Sequence, residues 1–449
     1  MTQPPGSSAP AWAQAVRYTR DPLGFTVVAQ RRYGDVFSVR FPFFGRIFYV
    51  ASPALAKQVF TGSPAVFHAG EANATVLEPA LGPNSVLTLD DEPHMRARKT
   101  LLPPFHGDRI RIYSELMLAA TRREMERWPL GTPFAPRPHM QRITLAVILR
   151  AVFGISDEAR LDRATMLIDA FTARVSPITR FPVLRRDLGP GSPWRRFVAA
   201  RAALDEFLYE EIALRRAEAA REERDDVLSL LLAARHEDGS PLSDAELRDE
   251  LVTVVGAGHE TTATALAWAL ERLLRTPAAL TRLRESLAAG ESDYLDATVR
   301  ETLRSRPVLI DVARKLTAPA RVGDYEFPAG SFLVPVIAAI HHREDLYDRP
   351  FEFRPERFLD EGAENYAWIP FGGGIRRCVG AAFAEQEMRV VLREVVTRAE
   401  LRAPDPAPER GQVRHITLAP ARDAVAVLER PLAAAENQAV AASASSALA

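Results

Sequence analysis

The sequence predicts a mainly α-helical fold with a smaller β part, and three observations carry that expectation. Helical hydrophobic periodicity dominates from about Glu92 to about Arg306. Short segments that suit strands lie on either side of that stretch. Within it, Ser243 and Glu246 form a capping-box pattern that opens a long helix reaching to about Arg275, just before Pro277.

Taken in order, Val36–Phe41 and Arg46–Val50 read as two strands, with Phe41-Pro42-Phe43-Phe44-Gly45 as the turn between them. Loops at 103–108, 128–138 and 175–192 interrupt the helical region. Strand signals return at Ala320–Phe327 and Phe332–Val336, around the turn Pro328-Ala329-Gly330. A long loop over 341–375 leads to a helix from Val379 to about Arg398, and a final strand pair falls near Arg414–Leu428. Residues 1–16 are expected to be flexible, 17–434 to form one domain, and 435–449 to be a flexible low-complexity tail.

Composition narrows the function. With 449 residues and a formal charge of -1, at a pI near 6.8, the chain has no broad electrostatic pull toward nucleic acid or anionic membrane. No signal peptide is evident, and the best apolar run, Leu251–Leu270, contains His259 and Glu260, so no transmembrane anchor is expected. A soluble, cytoplasmic monomer follows as the expectation. One cysteine among 449 residues rules out an intramolecular disulfide and a cysteine-rich zinc or iron–sulfur site within the chain.

That cysteine sits in Phe371-Gly372-Gly373-Gly374-Ile375-Arg376-Arg377-Cys378-Val379-Gly380. Glycines let backbone come close to a flat ligand. Cys378 opens a helical run, whose N-terminal dipole favours a thiolate, and Arg376 adds positive charge nearby. The segment resembles the haem signature of the cytochrome P450 family, Phe-x-x-Gly-x-Arg-x-Cys-x-Gly, at every fixed position. The resemblance implies the family's triangular α-rich prism, with haem b between the long central helix and the Cys-loop helix. It implies Cys378 as the iron ligand, Arg376 as a propionate partner and Phe371 packed near the sulfur.

Upstream, Val254-Val255-Gly256-Ala257-Gly258-His259-Glu260-Thr261-Thr262 places two glycines and an acid inside the long helix. Each interior glycine costs roughly 1 kcal/mol relative to alanine, so a compensating role is expected. The stretch resembles the family's oxygen-activation motif. The resemblance gives Glu260 and Thr261 proton-delivery roles and Gly258 the place where O₂ meets the backbone. A Gly-kinked core helix with Glu260 in a salt bridge is the plainer reading.

Further sites follow from the same resemblance. Glu301, Arg304 and Arg357 become a buried structural triad. His94 and Arg98, four residues apart on one helix face, and Arg314 become propionate contacts. His341 and His342 read as hydrogen-bonding loop residues, since adjacent side chains diverge and no third metal ligand is evident.

The activity implied is insertion of one oxygen atom from O₂ into a small apolar organic substrate, a terpenoid, steroid, fatty acyl or polyketide-like molecule of secondary metabolism. Electrons would come ultimately from NAD(P)H through ferredoxin and ferredoxin reductase, docking on Arg96, Lys99, Arg376 and Arg377. Val308, Leu309 and Ile310 predict an apolar pocket, and Asp311 either orients a polar substrate group or, by preference, pairs with Arg314. A hydrogen-peroxide-driven peroxygenase of the same fold and a non-catalytic haem sensor are the competing readings. A cysteine hydrolase would need a histidine near Cys378.

Overall fold

The computed structural model describes residues 3–432 except 106, 108, 156, 219–223, 225 and 360–365. The element that organises it is the central helix Asp244–Leu274. Its start is fixed by the expected box: Ser243 Oγ accepts from the Glu246 N–H at 3.3 Å, and the Glu246 carboxylate accepts from the Ser243 N–H at 2.8 Å. Helix Pro136–Phe153 packs along it, ended by Gly154 in the left-handed region at φ 56°. Helix Ala381–Arg398 and strand Thr417–Pro420 also pack on the central helix. Helices Glu158–Arg180 and Pro193–Ala217 pair with each other, and the second reaches the central helix.

Two apolar clusters share this frame. One joins Ile148, Phe153, Phe207, Leu247 and Leu251; the other joins Leu266, Leu270, Leu283, Leu303 and Val391. The main sheet lies to one side. Its strand order is Val36–Phe41, Gly45–Val50, Phe332–Pro335, Arg314–Leu316, Phe67–His68. The first pair is antiparallel, with Val36 opposite Val50, and the second pair is parallel. Smaller sheets pair Gly411–Arg414 with Thr417–Pro420, and Ala426–Pro431 with Ala399–Arg402 and Pro133–Phe134.

Several expectations are corrected. The N-terminal residues 3–16 are not loose: Gly6 pairs with Ser38, and Ala11–Arg20 is a helix. Gln14 anchors that helix, fully buried, donating to the Ala9 carbonyl at 2.8 Å and accepting from the Arg40 N–H at 3.1 Å. Ala320–Phe327 is a hairpin rather than one strand, because Gly323 at φ 57° turns the chain between Ala320–Val322 and Tyr325–Phe327. The tail 435–449 lies outside the described residues. Among the described residues no helix is long and apolar enough to cross a membrane.

The expected triad forms. Glu301 and Arg304, both fully buried, meet through two hydrogen bonds of 2.6 and 2.8 Å. Arg357 Nε lies 3.2 Å from the Glu301 carboxylate, whose other oxygen accepts from the Arg354 N–H at 2.9 Å. Arg304 also donates to the His341 carbonyl at 2.8 Å. The triad thus ties helix Asp293–Ser305 to the start and the middle of the loop that precedes the cysteine segment.

Candidate active site

The cysteine loop is closed by its own backbone. The Cys378 N–H donates to the Phe371 carbonyl at 2.9 Å, and the Arg377 N–H to the Gly374 carbonyl at 3.1 Å. These bonds delay the following helix, which begins at Ala381 instead of Val379. The glycines have a different use from the one expected. A side chain on Gly373 would strike Phe60 and Tyr366, and one on Gly374 would lie 2.0 Å from the Phe60 carbonyl. They seat the loop on helix Pro53–Thr61. Gly380 faces open space. The Phe371 ring makes an edge contact with Trp368 at 6.1 Å.

Cys378 is reachable by solvent yet has protein packed around it, and that burial pushes its thiol up. The Gly380 backbone N–H, Arg98 and Arg377 act in the opposite direction but do not outweigh burial. Arg376 does not assist. Its guanidinium turns to the Val86 and Leu89 carbonyls and to the Asp90 carboxylate, the last at 2.5 Å.

The four groups expected to act together, His94, Arg98, Arg314 and Arg376, do converge. His94 is 2 % exposed, and burial, then Arg376, Arg98 and Arg314, lower it to about 3. Its Nδ1 has no hydrogen-bond partner. Arg98 donates to the Arg377 carbonyl at 2.6 Å, beside the cysteine. Arg314, buried over the Phe60 ring at 5.4 Å, is lowered to about 10 by burial and then by Arg376. Phe60, Asp90, Arg314, Ile375 and Arg376 border a common cleft. Asp90, which the sequence did not single out, also accepts from the Gly70 and Glu71 N–H groups at 2.8 and 2.7 Å.

The central helix is buried through most of its length, but Gly256 and Ala257 are exposed midway along it. Exposed residues flanked on both sides by buried turns of the same helix border a space within the fold. A side chain on Gly256 would meet nothing, whereas one on Gly258 would lie 3.0 Å from Ile148. Gly258 therefore lets helix Pro136–Phe153 approach, and Gly256 is the glycine on the open side. Thr261 donates to the Ala257 carbonyl at 2.7 Å, a local bond that competes with the helical ladder. Glu260 is held by Arg137 Nη2 at 2.5 Å and Gln141 Nε2 at 2.7 Å. Arg137 lies 3.4 Å from Asp423 as well. Its spacing with Gln141 on one helix face was the only sequence signal for this pairing.

Other expectations shift. Asp311 does not pair with Arg314: its carboxylate accepts from Tyr49 at 3.1 Å and bonds Tyr18, and burial raises it to about 6. Burial, then Asp311, raises both tyrosines well above their usual range. Val308, Leu309 and Ile310 divide among three separate apolar clusters, so they do not present one wall. His341 and His342 are fully buried, His341 accepting from the Ile369 N–H at 2.8 Å. Among the described residues no cluster of three or more ligating side chains suits a metal ion. A residue absent from the sequence reading is Glu387, buried and with one oxygen unpartnered, nine positions after Cys378. Burial raises its carboxyl.

Comparison with known proteins places this arrangement. The cytochrome P450 family model matches residues 4–425. Cytochrome P450 135B1 of Mycobacterium tuberculosis is 41% identical over 430 residues, covering 94% of this chain and 91% of that protein. Cytochrome P450 138 of the same organism is 39% identical over 401 residues, covering 89% and 90%. Among solved structures, retinoic-acid-bound cyanobacterial CYP120A1 superposes with a TM-score of 0.82 at 26% identity, covering 96% of this chain and 99% of that one. The haem domain of cytochrome P450DA shares the fold at TM-score 0.83, covering 96% and 98%.

A haem-dependent monooxygenase is the class that this fold and these relatives define. The chain belongs to the cytochrome P450 family.

The residues present fit the haem that the family carries. A lone thiol borders open space, and a coordinated metal cation would deprotonate it against the pull of burial. Three arginines and His94 gather beside two carboxylates, Asp90 and Asp91, with a buried histidine nitrogen left without a partner. Such an imbalance suits a ligand that brings carboxylates of its own.

Proposed function

We propose that this chain is a haem-thiolate monooxygenase that inserts one atom of O₂ into an apolar organic substrate of terpenoid, steroid, fatty acyl or polyketide-like character. Ferredoxin and ferredoxin reductase supply the electrons, ultimately from NAD(P)H. The observation that carries this reading is the chain's only thiol, reachable by solvent though protein packs around it, and flanked by Arg98 and Arg377. The apolar substrate class is supported by the retinoic acid held by the relative CYP120A1.

In this reading Cys378 holds the iron, and His94, Arg98, Arg314 and Arg376 hold the propionates. When bound, the haem supplies activation of O₂ after reduction. The remaining work belongs to the protein. Thr261 exchanges its bond to the Ala257 carbonyl for one to O₂ or water in the space beside Gly256. Glu260 passes protons once Arg137 releases it toward Asp423. The acid and hydroxyl together favour the O₂ route over the peroxide one.

The deciding experiment is the absorption difference spectrum of the reduced, CO-bound protein. The red-shifted band of a thiolate-ligated haem supports the proposal, and an imidazole-type band ends it. Thr261→Ala is expected to leave O₂ and NAD(P)H consumption in place while product formation falls roughly 10²-fold. Unchanged product yield per O₂ would show that Thr261 does not handle protons.

Electron delivery is proposed to use Arg96, Lys99 and Arg377, which are exposed; the inward-turned Arg376 drops out of that patch. Arg377→Glu is expected to slow first-electron transfer from ferredoxin several-fold at low salt, with the loss shrinking as salt rises. A salt-independent rate equal to wild type would place the partner elsewhere.

A further inference from the structure

Early in the central helix, three successive charged residues, Arg248, Asp249 and Glu250, are all buried. Two of them are engaged. Arg248 meets Asp205 at 2.6 Å and the Leu81 carbonyl at 3.1 Å. Asp249 accepts from the backbone and side-chain nitrogens of Asn84, both at 3.0 Å. Glu250 is 3 % exposed, and neither of its oxygens completes a hydrogen bond, although the Val86 N–H lies beside it. Burial raises its carboxyl to about 8, so the acid is protonated at neutral pH and able to donate as well as accept. An unsatisfied buried acid in a native structure requires an explanation, and an absent ligand is one.

Position on the helix says which ligand. At 3.6 residues per turn, Glu250, Ala257 and Thr261 fall within about 40° of one another around the axis. The carboxyl therefore lies on the same stripe as the exposed Ala257 and the oxygen-handling Thr261. At 1.5 Å per residue it is ~10 Å from Ala257 and ~16 Å from Thr261 along the helix. Apolar residues intervene, Val254 among them. The neighbouring Asp249 disfavours an anionic head group.

We propose that Glu250 anchors the substrate: it receives a neutral hydroxyl or carbonyl at one end of an elongated, otherwise apolar molecule whose far end lies beside Thr261. This rests on the monooxygenase reading and narrows it. The segment around Val86 covers the carboxyl, so admitting the head group displaces that segment and leaves the helix in place. A purely structural Glu250 would instead hold the Val86 segment and show no preference among ligands.

The test is a set of spin-state titrations of the haem-loaded wild type and its Glu250→Gln, Glu250→Leu and Glu250→Met variants. The probes are two matched pairs: 3β-hydroxy-5α-androstane against 5α-androstane, and dodecan-1-ol against dodecane. The wild type is expected to bind a hydroxylated probe roughly tenfold more tightly than its hydrocarbon. E250Q keeps most of that preference; E250L loses it without changing hydrocarbon binding, and E250M serves if E250L does not fold. A wild type that binds neither hydroxylated probe better than its hydrocarbon, or an E250L or E250M protein that retains the preference, overturns the assignment. The reduced CO band, intact in every variant, separates that outcome from failure of the haem-thiolate reading.

Discussion

Cys378→Ala is expected to lack the red-shifted band of the reduced, CO-bound enzyme and to oxidise substrate no faster than background. The chain contains no other thiol to take its place. Burial already disfavours a free thiolate at this position, so the sulfur's charge is tied to metal binding and is not a standing property of the loop. Cys378→His is the informative companion. Imidazole still ligates iron, so haem is retained while the thiolate band and O–O cleavage are lost. A Cys378→Ala protein with a wild-type spectrum and undiminished turnover would remove the basis of the functional proposal.

Glu301→Ala is expected to destabilise the fold by about 3–5 kcal/mol, because it strands the fully buried Arg304 charge without its partner. Against a total of roughly 5–15 kcal/mol for ordinary domains, that loss is large. It should be visible as a lower denaturant midpoint and reduced haem content. Glu301→Gln is expected to lose less, since the amide oxygen still accepts from Arg304 or from the Arg354 N–H. An unchanged midpoint for Glu301→Ala would mean that the Arg304 contacts with the His341 and Glu352 carbonyls suffice.

Legibility in the sequence followed the range of the interaction. The central helix was readable to within a residue at its start, because Ser243 and Glu246 satisfy each other locally. The strands Val36–Phe41 and Gly45–Val50 were equally plain, since their turn is contiguous with them. The order of the N-terminal residues was missed because it depends on Gln14 reaching Arg40 on another element. Pairing of Asp311 with Arg314 was inferred from nearness in sequence. The structure gives Asp311 to Tyr18 and Tyr49, which come from distant parts of the chain.

Motif residues divided in the same way. Cys378, His94, Arg98, Arg314 and Arg376 were named from the resemblance to the family's motifs, and the fold brings His94 and the three arginines together. Their orientations were not readable. That Arg376 turns to Asp90, that Gly256 and not Gly258 faces open space, and that Glu260 is held by Arg137 each depend on packing between elements. Glu250 shows the limit most clearly. In sequence it is one acid among 58 acidic residues, and only its burial without a partner sets it apart.

By itself, then, the sequence determined the family and the helix boundaries set by local caps, since these depend on residue type and short spacing. Tertiary structure alone decided where those side chains point, which charges are cancelled and which are left over. Burial and ion pairing are set by what arrives from elsewhere in the chain, and no local pattern encodes that.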